Sequence, residues 1–179
     1  MIMKAERRKG VEVFIGVGSD IAPEENVPAA LVRLKRFVKI KAVSTFYRTP
    51  PLGRPQDPPF YNGVVLGETG LSPRELKYSV LRPIEEALGR VRTHDRYGAR
   101  PVDLDILLYG REVVREPDLC IPDPDLKARA FLARAVLELA PDLILPDTGE
   151  LLAEVAPQSE PEPLEEFTER LKRTLLGLA

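Results

Sequence analysis

Pro101-Val-Asp-Leu-Asp-Ile-Leu-Leu-Tyr109 alternates apolar and acidic residues before turning wholly apolar, which is the period of a β-strand. Val102, Leu104, Ile106 and Leu108 fall on one face and suit a core under helices. Asp103 and Asp105 fall on the other, ~7 Å apart by the pleat repeat. Two carboxylates on an otherwise apolar strand repel each other and lose hydration, and a cation beside them removes both costs. For an isolated Asp-x-Asp, a solvated face paired with arginines is the commoner arrangement.

Upstream, Val11, Val13, Ile15 and Val17 alternate with Glu12, Phe14 and Gly16, a first strand ending in the turn Gly18-Ser19-Asp20. Val27, Leu31, Leu34 and Val38 recur at helical spacing, and Pro28, suited to a first turn, predicts a helix starting near Asn26 as N-cap. Val43 to Arg48 reads as a second strand. Five prolines between Pro50 and Pro59 then make a stiff exposed loop. Phe60 to Glu68 is a third strand. Ser72-Pro73-Arg74-Glu75 is a capping box opening a helix to about Leu88, stopped by Gly89 and kinked at Pro83. After the Pro101–Tyr109 strand, Lys127 to Ala140 reads as a third helix and Leu143 to Leu145 as a short strand.

The order β-α-β-β-α-β predicts an α+β, ferredoxin-like sandwich with extra C-terminal helices in a single domain. Residues 1–155 are expected to form that domain. Ala156 to Pro163 reads as a linker, and Leu164, Phe167, Leu171 and Leu175 stripe a short amphipathic helix expected to dock on it.

With 179 residues, 44% of them hydrophobic, the chain can bury one sizeable core. A net charge of −2 excludes a generally basic nucleic-acid binder. Cys120 is the single cysteine, so neither an intrachain disulfide nor a Cys/His zinc cluster is expected. The basic segment Met1 to Gly10 precedes an apolar stretch too short and broken for a signal peptide or membrane span. A cytoplasmic protein is the expectation.

The loop before the acidic strand changes the weight of the aspartates. Arg90, Arg92, Arg96 and Arg100 lie within eleven residues, with His94 among them and Asp95 the one acid. Arginine forks fit phosphate oxygens, and a hard cation on carboxylates clamps the other side of a polyphosphate. Those are the parts phosphoryl transfer needs. No G-x-x-x-x-G-K-[ST] occurs, so the chain is not a P-loop enzyme, and Gly16-x-Gly18 reads as a tight turn. Phe60 and Asn62 share a strand face beyond the proline loop, placing a ring and an amide in one space. An amide edge matches the donor and acceptor pattern of a pterin or purine. A core Phe and a turn Asn would account for the same spacing.

Arg48-Thr-Pro-Pro-Leu-Gly53, Phe60-Tyr-Asn62, Leu88-Gly-Arg-Val-Arg92, Arg96-Tyr-Gly-Ala-Arg100 and Asp103-Leu-Asp-Ile-Leu-Leu-Tyr-Gly110 closely resemble one family. It is the 6-hydroxymethyl-7,8-dihydropterin pyrophosphokinases of folate synthesis, which transfer pyrophosphate from ATP to a pterin alcohol. The likeness runs from about Val11 to Asp147. It implies a ferredoxin-like fold and two Mg²⁺ ions on Asp103 and Asp105, bridging the phosphates of ATP. It further implies that Arg90 and Arg100 assist transfer. Thr49, Pro50, Leu52 and Asn62 would shape the pterin pocket, with Phe60 and Phe131 on the two faces of the ring. Glu85, Arg92, Tyr97, Ile106, Leu119 and Arg129 would serve the nucleotide, Tyr97 closing over it. The chain departs from the family pattern at Asp123 and Asp125, where histidine and a basic residue are usual, at Asp20, and at Pro83. ATP and a reduced hydroxymethyl pterin are the implied partners, with no nucleic acid, membrane or obligate protein partner.

Two other readings fit parts of the pattern. A ferredoxin-like RNA-binding module needs aromatics on its sheet face and a basic surround, and this chain has neither an RNP-type motif nor net positive charge. A nucleotidyltransferase also uses paired acids and Mg²⁺.

Overall fold

A computed structural model describes residues 9–51, 55–92, 98 and 100–177. β1 (Val11–Ser19) leads through α1 (Pro23–Leu34) into β2 (Lys39–Val43), β3 (Tyr47–Thr49) and β4 (Phe60–Thr69). A helical run follows: α2 (Pro73–Glu75), a π-helical segment (Leu76–Leu81) and α3 (Arg82–Ala87). β5 (Asp103–Tyr109) precedes a hairpin of β6 (Val114–Glu116) and β7 (Leu119–Ile121). The chain continues through α4 (Asp125–Ala128), α5 (Ala130–Leu139), α6 (Leu152–Val155), β8 (Glu162–Pro163) and α7 (Glu165–Leu176).

The main sheet has the order β5-β1-β4-β3-β8, with β2 also pairing β4. Its pairings are antiparallel. Strand alternation divides the interior in two. Val13, Ile15 and Val17 face a core closed by α1, the Leu76–Ala87 helical run and α7. Phe14 faces a second core, closed by α4, α5 and α6. Each large apolar side chain buried this way contributes roughly 1.5–3 kcal/mol. The result is a mixed α/β sandwich, as the element order predicted, and helices cover both faces of its sheet.

Several local expectations are corrected. Between Phe14 and Ile15 the β1–β5 register shifts, so β5 carries a bulge at Leu107. The bulge breaks strict alternation: Leu107 and Leu108 enter the second core, while Tyr109 joins Ile106 in the first. Leu108 therefore does not share a face with Leu104. Instead of one strand over 43–48, there are two, because Ser44 stands in for the ladder: its N–H donates to Val64 O (2.9 Å) and its hydroxyl accepts from Val64 N–H (2.9 Å). Helix α1 starts at Pro23, after Ala22 in the left-handed region (φ 40°), and Pro28 sits inside it. Asn26 is not the N-cap; its amide donates to Ile21 O (2.7 Å).

The capping box forms as expected, Ser72 Oγ accepting from Glu75 N–H (3.2 Å) and Glu75 Oε1 from Ser72 N–H (3.4 Å). Pro83 removes one amide donor, and the helix widens into a π-turn just before it, closed by Arg82 N–H to Lys77 O. The third helix is broken at Arg129, whose extended backbone (φ −120°, ψ 112°) separates α4 from α5. The expected strand at 143–145 reduces to a bridge between Ile144 and Leu151. Helix α7 docks as expected, burying Phe167, Leu171 and Leu175 in the first core. Among the described residues no helix is long and apolar enough to cross a membrane.

Gly63 lets β4 pass the fully buried Phe46, whose ring would lie 2.5 Å from a Cβ placed there. Gly63→Ala is expected to cost about 1–3 kcal/mol through overpacking. That is a lower melting temperature by roughly 2–4 °C per kcal/mol, read by thermal unfolding.

Candidate active site

β1 is the floor of the site. Gly16 pairs Asp105 and Gly18 pairs Asp103 on one side, and on the other Gly16 pairs Val64 and Gly18 pairs Asn62. Residues paired across a ladder point to one face, so the aspartates, Asn62 and Phe60 project into the same space. The glycines add no side chain of their own to that space, and α5 roofs it. The resulting cavity of about 320 Å³ is lined by Phe60, Asn62, Asp103, Asp105, Phe131 and Arg129, among others. Its size suits a small ring system. Gly16-x-Gly18 is therefore not a turn; it lies within the strand, and its lack of side chains makes the cavity. The signal was in the alternation itself, where Phe14 is followed by two glycines at i+2 and i+4.

Thr49 is buried, and its hydroxyl accepts from Asn62 Nδ2 (2.7 Å), which orients the carboxamide. Phe60 and Phe131 both line the cavity, and the Arg129 guanidinium packs over the Phe131 ring, 4.5 Å from its centroid. Pro50 is exposed beside the cavity, whereas Pro51 lines it. Leu52, His94, Arg96 and Tyr97 lie outside the described residues.

The charged half of the site is a chain of ion pairs. Glu85, 2% exposed, accepts from Leu104 N–H (3.0 Å), from Arg92 (2.6 Å) and from Arg90. Arg90 also donates to Asp103 Oδ1 (2.6 Å), and Arg100 to Asp103 Oδ2 (2.8 Å). Burial pushes the Asp103 carboxyl up, but Arg90 and Arg100 outweigh it and hold it below the usual range. The first turn is tied in as well: the Asp20 carboxylate accepts from Arg100 N–H (2.6 Å).

Asp105 differs from its neighbour. It opens to the cleft yet is ringed by protein atoms, and it has no hydrogen bond or ion pair among the described residues. Lost hydration, then the charges of Asp103, Asp123 and Glu85, push its carboxyl up to about 8. Asp123 lines the cleft rather than turning away. Its Oδ1 accepts from Asp125 N–H (2.9 Å), and burial, with Asp125 and Asp103 nearby, raises its carboxyl too.

Two further hollows adjoin Asp105. One, of about 300 Å³, lies between Ile106, Leu119, Leu81 and Lys77, with Asp118 and Asp123 at its rim. The β6–β7 hairpin that walls it was not read from the sequence; three-residue strands carry too little alternation. Arg74 (3.0 Å to Oδ2) and Tyr78 hold Asp118, pinning the hairpin to the helical run. The other, of about 230 Å³, gathers Lys77, Arg82, Arg90, Arg92 and Arg100 around Asp103 and Asp105. Lys77 and Arg82 were also missed. Five residues apart on an α-helix they would diverge by about 140°, but the π-turn closes between them and turns both toward the aspartates. Arg82 Nε is buried without a hydrogen-bond partner among the described residues.

The donor set fits Mg²⁺. Asp103 and Asp105 supply hard oxygens, and Asp105 has no ion pair among the described residues. No group of three or more metal-ligating side chains gathers among the described residues, so phosphate and water would complete the shell, the usual arrangement for this ion. The five cations of the adjoining hollow suit those phosphates.

An antiparallel sandwich that sets paired aspartates and arginines beside a small ring pocket defines a phosphate-handling enzyme class. Residues 14–141 match the family described as 7,8-dihydro-6-hydroxymethylpterin-pyrophosphokinase, and the chain belongs to that family. The 2-amino-4-hydroxy-6-hydroxymethyldihydropteridine pyrophosphokinase of Pseudomonas aeruginosa is 42% identical over 138 residues, covering 75% of this chain and 84% of the relative. The protein of the same name from Aquifex aeolicus is 32% identical over 152 residues, covering 84% and 94%. A crystal structure of Plasmodium falciparum HPPK-DHPS (A437G, with SDX-DHP) superposes with a TM-score of 0.68 at 13% identity, a likeness of fold. It covers 94% of this chain, which spans about half (47%) of that longer one.

Two predictions follow from this geometry. The folded Asp105 carboxyl keeps its proton to about pH 8, whereas an unfolded one releases it near 3.8. The folded state thus holds more protons in that window, and stability falls as pH rises through it. Asp105→Asn should melt above the wild type in Mg²⁺-free buffer, the gap widening from about pH 5 to about pH 8 in thermal scans, while losing turnover. A Cβ at Gly18 would come 2.5 Å from Asn62 Oδ1. Gly18→Ala should therefore raise the pterin KM about 10- to 100-fold and leave the ATP KM nearly unchanged in steady-state assays.

Proposed function

We propose that this cleft carries out the family's pyrophosphoryl transfer, from ATP to the hydroxymethyl group of a reduced pterin. The supporting observation is the shared sheet face: across Gly16 and Gly18, the Asp103–Asp105 pair and the Phe60–Asn62 pocket are contiguous. A ring held by Phe60, Phe131 and the Asn62 amide would present its side arm toward the aspartates. ATP would lie with its base side between Ile106 and Leu119 and its phosphates among Lys77, Arg82, Arg90, Arg92 and Arg100.

Two Mg²⁺ ions on Asp103 and Asp105 would neutralise the polyphosphate and polarise the β-phosphoryl oxygens. The chain's own residues do the positioning. Asn62 and the aromatic pair align the pterin hydroxyl for in-line attack on the β-phosphorus, and AMP departs. Arg90 and Arg100 hold Asp103 ionised and stand where charge builds on the transferring group. Asp123 adds negative charge at the meeting of the two subsites, and Lys77 and Arg82 offset it from the opposite wall. Arg129, over Phe131, joins the nucleotide side to the ring pocket. The enzyme would work in the cytoplasm, needing no obligate protein partner.

Product analysis with ATP, Mg²⁺ and 6-hydroxymethyl-7,8-dihydropterin tests the proposal. AMP and the pterin pyrophosphate in equal amounts are expected. Release of free pyrophosphate would assign nucleotidyl transfer instead, and absence of turnover would leave a binding protein.

A further inference from the structure

The family match ends at residue 141, yet the chain beyond it returns to the ring pocket from behind. β3, which carries Thr49, is three residues long. One edge of it pairs β4 at Phe60, Tyr61 and Asn62; the other pairs Glu162 and Pro163 of β8. Without β8 this pocket strand would be an edge, where short strands fray.

The grip extends to the corner from which β3 departs. Phe46 N–H donates to Thr168 Oγ1 (2.9 Å), and Phe46 O accepts from Leu164 N–H (2.7 Å). Thr168 Oγ1 in turn donates to Leu164 O (2.8 Å), so one buried hydroxyl closes a loop of three bonds. The Phe167 ring meets Phe46 edge-on (centroids 5.5 Å apart) and Tyr61 edge-on (5.2 Å). Tyr61 lies between Phe60 and Asn62. The C-terminal segment therefore touches both strands of the pocket wall, one residue from Asn62 and Phe60 on β4 and, at Arg48, one residue from Thr49 on β3. Glu138 of α5 also binds the corner, accepting from Thr45 N–H (2.7 Å) and from its hydroxyl (2.9 Å).

We propose that residues 162–168 form a positioning strap for the pterin subsite, with Thr168 and Phe167 as its positioning residues: they set the β3–β4 register that joins Thr49 to Asn62. This rests on the reading that the Thr49–Asn62 wall holds the ring. Among the described residues, the polar contacts of the strap fall on the β3–β4 wall and its corner, so its loosening acts on one substrate and not the other.

The test compares full-length Thr168→Val, Thr168→Ser, Phe167→Leu and Leu175→Ala with the wild type. Leu175 is buried in the same helix, about two turns beyond Thr168, and its truncation controls for loss of stability. Thr168→Val and Phe167→Leu should raise the pterin KM about tenfold with the ATP KM unchanged, the scale of a misplacement approaching 1 Å. Thr168→Ser, which keeps the hydroxyl, should restore the wild-type value. Leu175→Ala should lower the melting temperature without moving the pterin KM. Hydrogen exchange at the amides of residues 46–49 should accelerate in Thr168→Val, and this readout does not depend on turnover. An unchanged pterin KM in folded Thr168→Val and Phe167→Leu, or an equal rise in Leu175→Ala, overturns the strap. Asn62→Ala separates the two levels: if it leaves the pterin KM unmoved, the assignment of the wall fails rather than the strap.

Discussion

Arg90 lies between two largely buried carboxylates and donates to both. At 12% exposed, it joins Glu85, on the helical run, to Asp103, on β5. Removing one partner from such a buried group leaves the others uncompensated at a cost of about 3–5 kcal/mol. The helix end, the loop after it and the acidic strand are thus held by one electrostatic knot. Arg92 and Arg100 extend the knot, and through Arg100 N–H it reaches Asp20 at the end of β1.

What the knot leaves out matters as much. It satisfies Asp103 and leaves Asp105 with three acids for neighbours. The fold therefore spends part of its stability on gathering like charge at this site; in the proposed function its complement would be a cation and a polyphosphate. Strained electrostatics of this kind collects at functional positions. The π-turn belongs to the same economy, since it turns Lys77 and Arg82 toward the acids at the point where Pro83 already prevents an ordinary α-helical bond.

The aromatic half of the cleft is held by packing and main-chain pairing rather than charge. Gly16 and Gly18 open it, α5 covers it, and β8 with α7 braces the wall away from the phosphates. In the proposed function, these supports would serve the ring side and the charged knot the phosphate side of a shared sheet.

Much of this was legible in the chain alone. The strand around Asp103 and Asp105, the capping box at Ser72, the arginines after Leu88 and the apolar stripe of α7 each follow from local periodicity or local chemistry, which sequence order preserves. Tertiary structure decided the rest, because it depends on what lies across a ladder or behind a turn. The bulge at Leu107 sends Leu108 to the second core, the helix break at Arg129 carries no glycine or proline, and Lys77 meets Arg82 only through a π-turn. Gly16 and Gly18 read as a turn until their partners are known; opposite Asp105, Asp103 and Asn62 they become the floor of the site. Spacing could propose that the two aspartates bind a cation, but only the fold, by pairing Asp103 with two arginines and leaving Asp105 among carboxylates, separates their roles.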